Sequence, residues 1–238
     1  MQYFKKMNAV FFDFGDTLVS LDPQKEDLFI KAALNIGIML DKAAVKRAYE
    51  CVDFFMKFSS VAINKESERR EFYKRYNERL CEALGISGSF TNLWPSIAKI
   101  FNANKTWHLV GGAKETLTSL HDRGIRLAII ANWDSSLGEL VRRLDIGHLF
   151  EYIVSSQEAG VEKPDPAIFQ VALKAMSLLE NPCSVVYVGN EYRADVVGAR
   201  SAGLMPCLLD IENRYPFADC QRITSLRDLL SVIDNIKG

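Results

Sequence analysis

Apolar and polar positions along the chain follow two different rhythms. Ala9-Val10-Phe11-Phe12 is a short unbroken apolar run, and Ile125–Ala131, Val185–Val188 and Met205–Leu209 repeat the pattern. Short continuous runs of this kind predict strands covered on both faces, as in a parallel sheet. Tyr152–Ser155 predicts one more strand, and Met205–Leu209 reads as the last. Between these runs the period lengthens to that of a helix. One helix leads off after Gly111-Gly112 with Leu117 and Leu120 inward and closes at Gly124. Another covers Leu137 to Leu144. A third starts at Asp165-Pro166, an N-cap followed by proline at the first helical position, and turns Phe169, Ala172, Leu173 and Met176 inward. A helix through Val196 and Ala199 follows, and Ser225-Leu226-Arg227-Asp228 has capping-box spacing before the final one. The alternation predicts an α/β fold with a doubly wound, mainly parallel, Rossmann-like sheet and right-handed crossovers.

From Asp22 to Lys105 the strand rhythm disappears. Four apolar stripes at helical spacing replace it: Leu28, Ala32, Ile36 and Met39; Val45, Ala48, Tyr49, Val52, Phe55 and Met56; Phe72, Tyr76, Leu80 and Ala83; and Leu93, Ile97, Ile100 and Phe101. They predict an all-helical subdomain over residues 22–105, inserted directly after the first strand of a core formed by residues 1–21 and 106–238. The insertion carries 14 Lys/Arg and 11 Asp/Glu, so it is +3 while the remainder is −4. That tilt suits an anionic substrate, and a solvated helix surface accounts for it equally well. Phe54, Phe58, Trp94 and Trp133 are available to line a pocket, although aromatics at helical spacing more commonly pack in a core.

Composition narrows the classes. The chain has 238 residues, 48% apolar and 25% charged, with a formal net charge of −1. That balance excludes a general nucleic-acid binder or a polybasic membrane binder. Five cysteines (Cys51, Cys81, Cys183, Cys207 and Cys220) form no C-x-x-C pair and read as free thiols of a reducing compartment. Lys5 and Lys6 precede apolar residues, but Asp13 cuts the run too early for a secretory signal. No apolar segment is long enough to span a bilayer. A cytoplasmic protein is the expectation, with its oligomeric state left open.

The chemistry begins at Asp13, which ends the first strand where open α/β sheets bind their ligands. Asp13-Phe14-Gly15-Asp16-Thr17 resembles the first motif of the haloacid dehalogenase superfamily of hydrolases, D-x-D-G-T. Three further motifs follow in the family's order, so the resemblance covers nearly the whole chain. Val161-Glu162-Lys163-Pro164-Asp165-Pro166 matches the third, and Gly189-Asn190-Glu191-Tyr192-Arg193-Ala194-Asp195 matches the fourth, G-D-x-x-x-x-D. The second, normally Ser or Thr at the end of the second core strand, is here Ala131 followed by Asn132.

The resemblance implies a hydrolase that attacks a small phosphorylated metabolite with Asp13, passes through an aspartyl-phosphate, and uses Mg2+. Thr17 would take the terminal motif position. Lys163 would neutralise the charge of nucleophile and phosphate, and Asn132 would join it in binding substrate. Asp13, the Gly15 carbonyl, Asn190 and Asp195 would hold the metal. Glu191 is either a neighbouring carboxylate that restores the charge Asn190 lacks or a solvent-facing loop residue. The inserted helices would form the family's cap. Three positions depart from the pattern. Gly15 replaces the general acid/base, a group worth about 10²–10⁴ in rate. Ala131 lacks the phosphate-binding hydroxyl, and Asn190 brings no charge. Two alternatives follow: a carbon–halogen or carbon–phosphorus hydrolase of the same superfamily, or a catalytically decayed protein that binds phosphate or a partner.

Overall fold

The structure, a computed structural model, describes residues 7–56, 66–103 and 106–237. Eight strands are present among them: β1 (Ala9–Phe12), β2 (Val19–Leu21), β3 (Trp107–Leu109), β4 (Arg126–Ala131), β5 (Tyr152–Ser155), β6 (Val185–Gly189), β7 (Met205–Leu209) and β8 (Gln221–Ile223). Six form one sheet in the order β5-β4-β1-β6-β7-β8, and every neighbouring pair is parallel. β2 and β3 pair separately. The chain winds outward from β1 through β4 to β5, then crosses back and winds the other way through β6, β7 and β8. The reversal lies at β1, between β4 and β6, which is the switch point where such sheets open a crevice at their carboxyl ends.

The apolar runs explain why these strands sit where they do. All four β1 residues and all five of β6 are buried. Alternate side chains point to opposite faces. Ala9, Phe11, Ala128, Ile130, Val185 and Tyr187 therefore share one face, packed on Ile168, Phe169, Ala172, Leu173 and Met176 of the helix Pro166–Ala175. That helix begins as its sequence predicts, with the Asp165 carboxylate accepting from the Ala167 N–H at 2.9 Å and Pro166 in the first turn. At the final helix, Asp228–Lys237, the Asp228 carboxylate accepts from the Ser225 N–H at 2.9 Å.

Sequence periodicity missed the shortest strands. β2, β3 and β8 have three residues each and mixed burial, so no run marks them. Met205–Leu209 is not the last strand, because β8 pairs beyond it through Cys207–Gln221, Leu208–Arg222 and Leu209–Ile223.

The chain divides into two compact units, Met1–Ser20 with Leu109–Gly238, and Leu21–His108. The second contains the helices Lys25–Leu34, Lys42–Met56, Glu66–Ala83 and Phe90–Ala103. Its core joins Leu28, Ala32, Val45, Ala48, Tyr49, Val52, Leu80, Leu93, Ile97 and Ile100, and Trp94 and Phe101 pack against it. The stripes run past the helices at two places. The first helix stops at Leu34, since Gly37 adopts φ 81° and the Ile38 N–H turns back to the Ala33 carbonyl at 3.0 Å. This closing turn needs a residue without Cβ, and it leaves Met39 88% exposed. Phe55 and Ala83 also face outward, while Cys81 is buried in place of Ala83. The Phe54 and Met56 side chains, Phe58, Lys5 and Lys6 lie outside the described residues. No described helix is long and apolar enough to cross a membrane.

Candidate active site

Three adjacent strands end side by side, and their ends deliver the sequence-predicted residues. β4 runs into Asn132, β1 into Asp13 and β6 into Asn190. The Asp13 N–H extends the β1–β6 ladder to the Val188 carbonyl at 2.8 Å, so its backbone is as fixed as the strand itself. The Lys163 ammonium lies 2.5 Å from Asp13 Oδ1 and 2.8 Å from Asp195 Oδ1. Asp13, Lys163 and Asp195 are 8%, 5% and 1% exposed. Two buried carboxylates therefore share one buried ammonium.

Thr17 completes the surroundings of the Asp13 carboxylate. Its Oγ donates to Asp13 Oδ2 at 3.0 Å, with Asn190 Oδ1 as a second acceptor in reach at 3.1 Å. The turn that carries it is pinned by the Asp16 N–H on the Val19 carbonyl at 2.7 Å and the Val19 N–H on the Phe14 carbonyl at 3.0 Å. Asp16 sits in that turn at φ 56° with its side chain exposed.

Tyr187 is the member of the cluster that sequence reasoning missed. Its hydroxyl accepts from Lys163 Nζ at 3.0 Å, and its one proton has the Ile130 carbonyl at 3.0 Å and Asp195 Oδ1 at 3.2 Å as acceptors. A tyrosine inside an otherwise aliphatic buried strand was the available signal, because a buried hydroxyl needs a partner.

The fourth motif folds back under β6 through a wide π-type turn at Tyr192–Val197. Asp195 Oδ2 accepts from the Glu191 N–H at 2.9 Å. The carboxylate lies so close to Gly189 that a Cβ there would meet Asp195 Cγ at 2.2 Å, which explains the glycine that opens the motif. Both Asp195 oxygens are thus engaged with protein donors. Glu191 faces the opposite way, toward Arg214 and Tyr215, each at 3.4 Å. Asn132 grips the Lys163 backbone, its Nδ2 donating to the Lys163 carbonyl at 3.0 Å and its Oδ1 accepting from the Lys163 N–H at 2.8 Å. It positions the lysine. Ala131 pairs in register with Ser155, but the Ser155 hydroxyl is held by Glu158, 2.7 Å from its carboxylate, so it does not replace the missing second-motif hydroxyl.

Burial governs the electrostatics. It pushes the Asp13 carboxyl up to about 6; Lys163 pulls the other way, and Asp195 adds to the rise. Burial alone would lower the Lys163 ammonium, but Asp13 and Asp195 outweigh it and hold it above its ordinary value. Burial and the two carboxylates drive Tyr187 far up, so it stays neutral. Near neutral pH the cluster holds an ionised carboxylate beside a cation, with one negative charge in excess. Such perturbed groups gathered at the carboxyl ends of adjacent strands are the marks of a functional site.

A buried carboxylate at the end of the central strand of a doubly wound sheet, with a buried lysine between it and a second carboxylate, is an arrangement suited to a hydrolase. The chain belongs to the haloacid dehalogenase-like hydrolase family, whose model matches residues 7–203. It is 34% identical over 146 residues to the human haloacid dehalogenase-like hydrolase domain-containing protein 3, covering 59% of this chain and 57% of that one. It is 31% identical over 210 residues to the glyceraldehyde 3-phosphate phosphatase of Methanothermobacter thermautotrophicus, covering 87% of each. The magnesium-bound structure of the HAD-hydrolase YfnB from Bacillus subtilis superimposes with TM-score 0.72 at 20% identity, covering 97% of this chain and all (100%) of that one.

Proposed function

We propose that this hydrolase is a magnesium-dependent phosphatase that cleaves a small phosphorylated metabolite through an aspartyl-phosphate on Asp13. The observation that carries the reading is the Asp13–Lys163–Asp195 cluster at the sheet's switch point. The relative at 87% coverage is named a glyceraldehyde 3-phosphate phosphatase, and another match at 26% identity is a ribulose-1,5-bisphosphate 5-phosphatase of Halopiger xanaduensis. These names favour a small phosphorylated molecule as the substrate.

Phosphoryl transfer asks the protein mainly for position and charge. Asp13 is held by its strand and by Thr17, with Oδ1 toward Lys163. The ammonium offsets the charge that builds as a phosphate approaches a carboxylate. Asp195 and Tyr187 hold that ammonium in place, and Asn132 fixes the backbone that carries it. Helices from the Leu21–His108 unit would serve as the family's cap subdomain.

The donor set fits magnesium. Asp13 Oδ2 and Asn190 Oδ1 both lie against Thr17, and both are hard oxygens, as is the Gly15 carbonyl. A set with one carboxylate suits a cation that keeps several waters and meets its substrate's phosphate. The buried excess of negative charge favours a cation in the same place. Asp13, Gly15 and Asn190 would hold it directly. Asp195, bonded to Lys163, would act through the lysine, and Glu191 would support the loop. The bound ion would supply charge neutralisation to the phosphoryl group.

A panel of phosphorylated sugars and small acids, assayed with magnesium, with chelator and with Asp13→Asn, tests the reading. Magnesium-dependent phosphate release that disappears in the variant is expected. Full turnover in chelator would keep the phosphatase and remove magnesium from the reading. No turnover under any condition would leave a binding protein.

A further inference from the structure

Gly15 stands where the family pattern puts the residue that protonates the leaving group, and the ring of Trp133 borders that position. A Cβ added at Gly15 would lie 3.3 Å from the ring carbon Cζ3 of Trp133, inside ordinary contact distance. The indole is half-buried and packs edge-on against Phe14, with ring centroids 5.4 Å apart and planes at 87°. Its backbone is tied as well. The Trp133 carbonyl accepts from the Gln157 N–H and from Ser156 Oγ, each at 3.2 Å. The residue before it, Asn132, clamps the Lys163 backbone. The indole is therefore anchored to the same framework as the nucleophile and the lysine.

We propose that Trp133 is the specificity-determining residue for the leaving group, selecting phosphate carried on an aryl or acyl oxygen; this rests on the phosphatase reading of Asp13. In-line displacement puts the leaving oxygen on the far side of phosphorus from Asp13. An acid at position 15 would reach that oxygen, and here the neighbouring surface is the carbon edge of an indole. Asp13 forms a bond to phosphorus as the ester P–O bond breaks, and the electron pair departs on the leaving oxygen. A phenolate or a carboxylate carries that charge without a proton, whereas an alkoxide needs one. Water then attacks the aspartyl-phosphate, regenerates the Asp13 carboxylate, and leaves both its protons on inorganic phosphate. An aryl group also gains aromatic contact with the indole, which raises its affinity over an acyl group.

The test is a cycle of Trp133→Ala and Gly15→Asp, read with phenyl, acetyl and ethyl phosphate. Trp133→Ala should raise KM for phenyl phosphate about tenfold more than KM for acetyl phosphate, the scale of one aromatic contact. Gly15→Asp should lower turnover in the native background. In the Trp133→Ala background it should raise kcat on ethyl phosphate at least about 100-fold, the lower bound for a restored acid. Equal KM changes on phenyl and acetyl phosphate, or a Gly15→Asp effect that is the same in both backgrounds, would reduce Trp133 to a packing residue and overturn the proposal. Thermal melts of Gly15→Ala with and without Trp133→Ala separate the two levels of inference. If no ester is turned over while Gly15→Ala destabilises only the protein that retains Trp133, the steric pairing stands and the phosphatase reading fails, taking the specificity role with it.

Discussion

Replacing Asp13 with asparagine should stabilise the protein while abolishing its chemistry. Asp13 ionises at about 6 in the folded state against an ordinary value of 3.8. The native state therefore keeps a proton that the unfolded chain gives up, and stability falls as pH rises from about 4 through 6. A tenfold change in proton affinity corresponds to about 1.4 kcal/mol, so holding the ionised carboxylate costs about 3 kcal/mol above pH 7 and about 1 kcal/mol at pH 4.5. Asparagine has nearly the shape of the protonated acid and carries none of this cost. Lys163 retains Asp195 at 2.8 Å and Tyr187 at 3.0 Å, so its charge is not orphaned. Melts of the two proteins from pH 4 to 8 should diverge through that window. The variant should end roughly 6–12 °C higher above pH 7, given about 2–4 °C per kcal/mol for a chain of this size. A variant that melts lower at pH 7.5, or a gap that does not change with pH, would refute the account of Asp13 as an ionised group held against burial.

Turnover should depend on the same ionisation: kcat/KM should rise with pH through about 6, and a flat profile from pH 5 to 8 would separate catalysis from Asp13. Magnesium should raise the melting temperature at pH 7.5 and much less at pH 5, where Asp13 is mostly protonated, and chelator should reverse the rise; a pH-independent effect would place the ion elsewhere. Lys163→Met leaves two buried carboxylates facing each other without their cation and should destabilise by roughly 3–5 kcal/mol at pH 7. The loss should shrink below pH 6, as measured by urea unfolding, because protonation of Asp13 removes the repulsion.

The buried strands were legible because each is an unbroken apolar run, and Asp165-Pro166 was legible because local chemistry alone writes a helix start. β2, β3 and β8 were not, since three residues of mixed burial carry no period. Asp13 and Lys163 were found from their motifs, and the structure brings them to 2.5 Å across 150 residues of sequence. The partners were harder. Asp195 is assigned by its motif to a metal, yet its oxygens are engaged with Lys163, Tyr187 and the Glu191 N–H, because the π-type turn folds it beneath Gly189. Tyr187 escaped notice since its role depends on which hydroxyl faces Lys163, and strand periodicity reports only that the residue is buried. Trp133 was named only as an aromatic available to line a pocket, without its place beside Gly15. That an indole lies over Gly15 follows from two strand ends being neighbours in the sheet, and their separation in sequence hides it.

The altered motif positions bear on whether this site has decayed. A site relieved of function would be expected to shed buried charge, because well-packed apolar residues of similar volume are often as stable as a buried ion pair or more so. Here the charge is present and its network is complete. The buried side-chain polar atoms without partners, among the described residues, are Thr116 Oγ1 and Arg222 Nε, and neither belongs to the cluster. Thr17, Tyr187, Asn132 and Asp195 are all committed to holding Asp13 or Lys163. The departures at Gly15 and Ala131 leave this network untouched, and Asn190 keeps an oxygen within 3.1 Å of Thr17. They change what the site offers to the leaving group and to the outer phosphoryl oxygens, while the charged pair that would carry the displacement stays assembled. A buried carboxylate kept ionised at neutral pH, against about 3 kcal/mol of burial cost, is a costly feature for a scaffold that only binds. The chemistry is weakest at the departing oxygen, because Gly15 offers no acid and the ring carbon of Trp133 borders it.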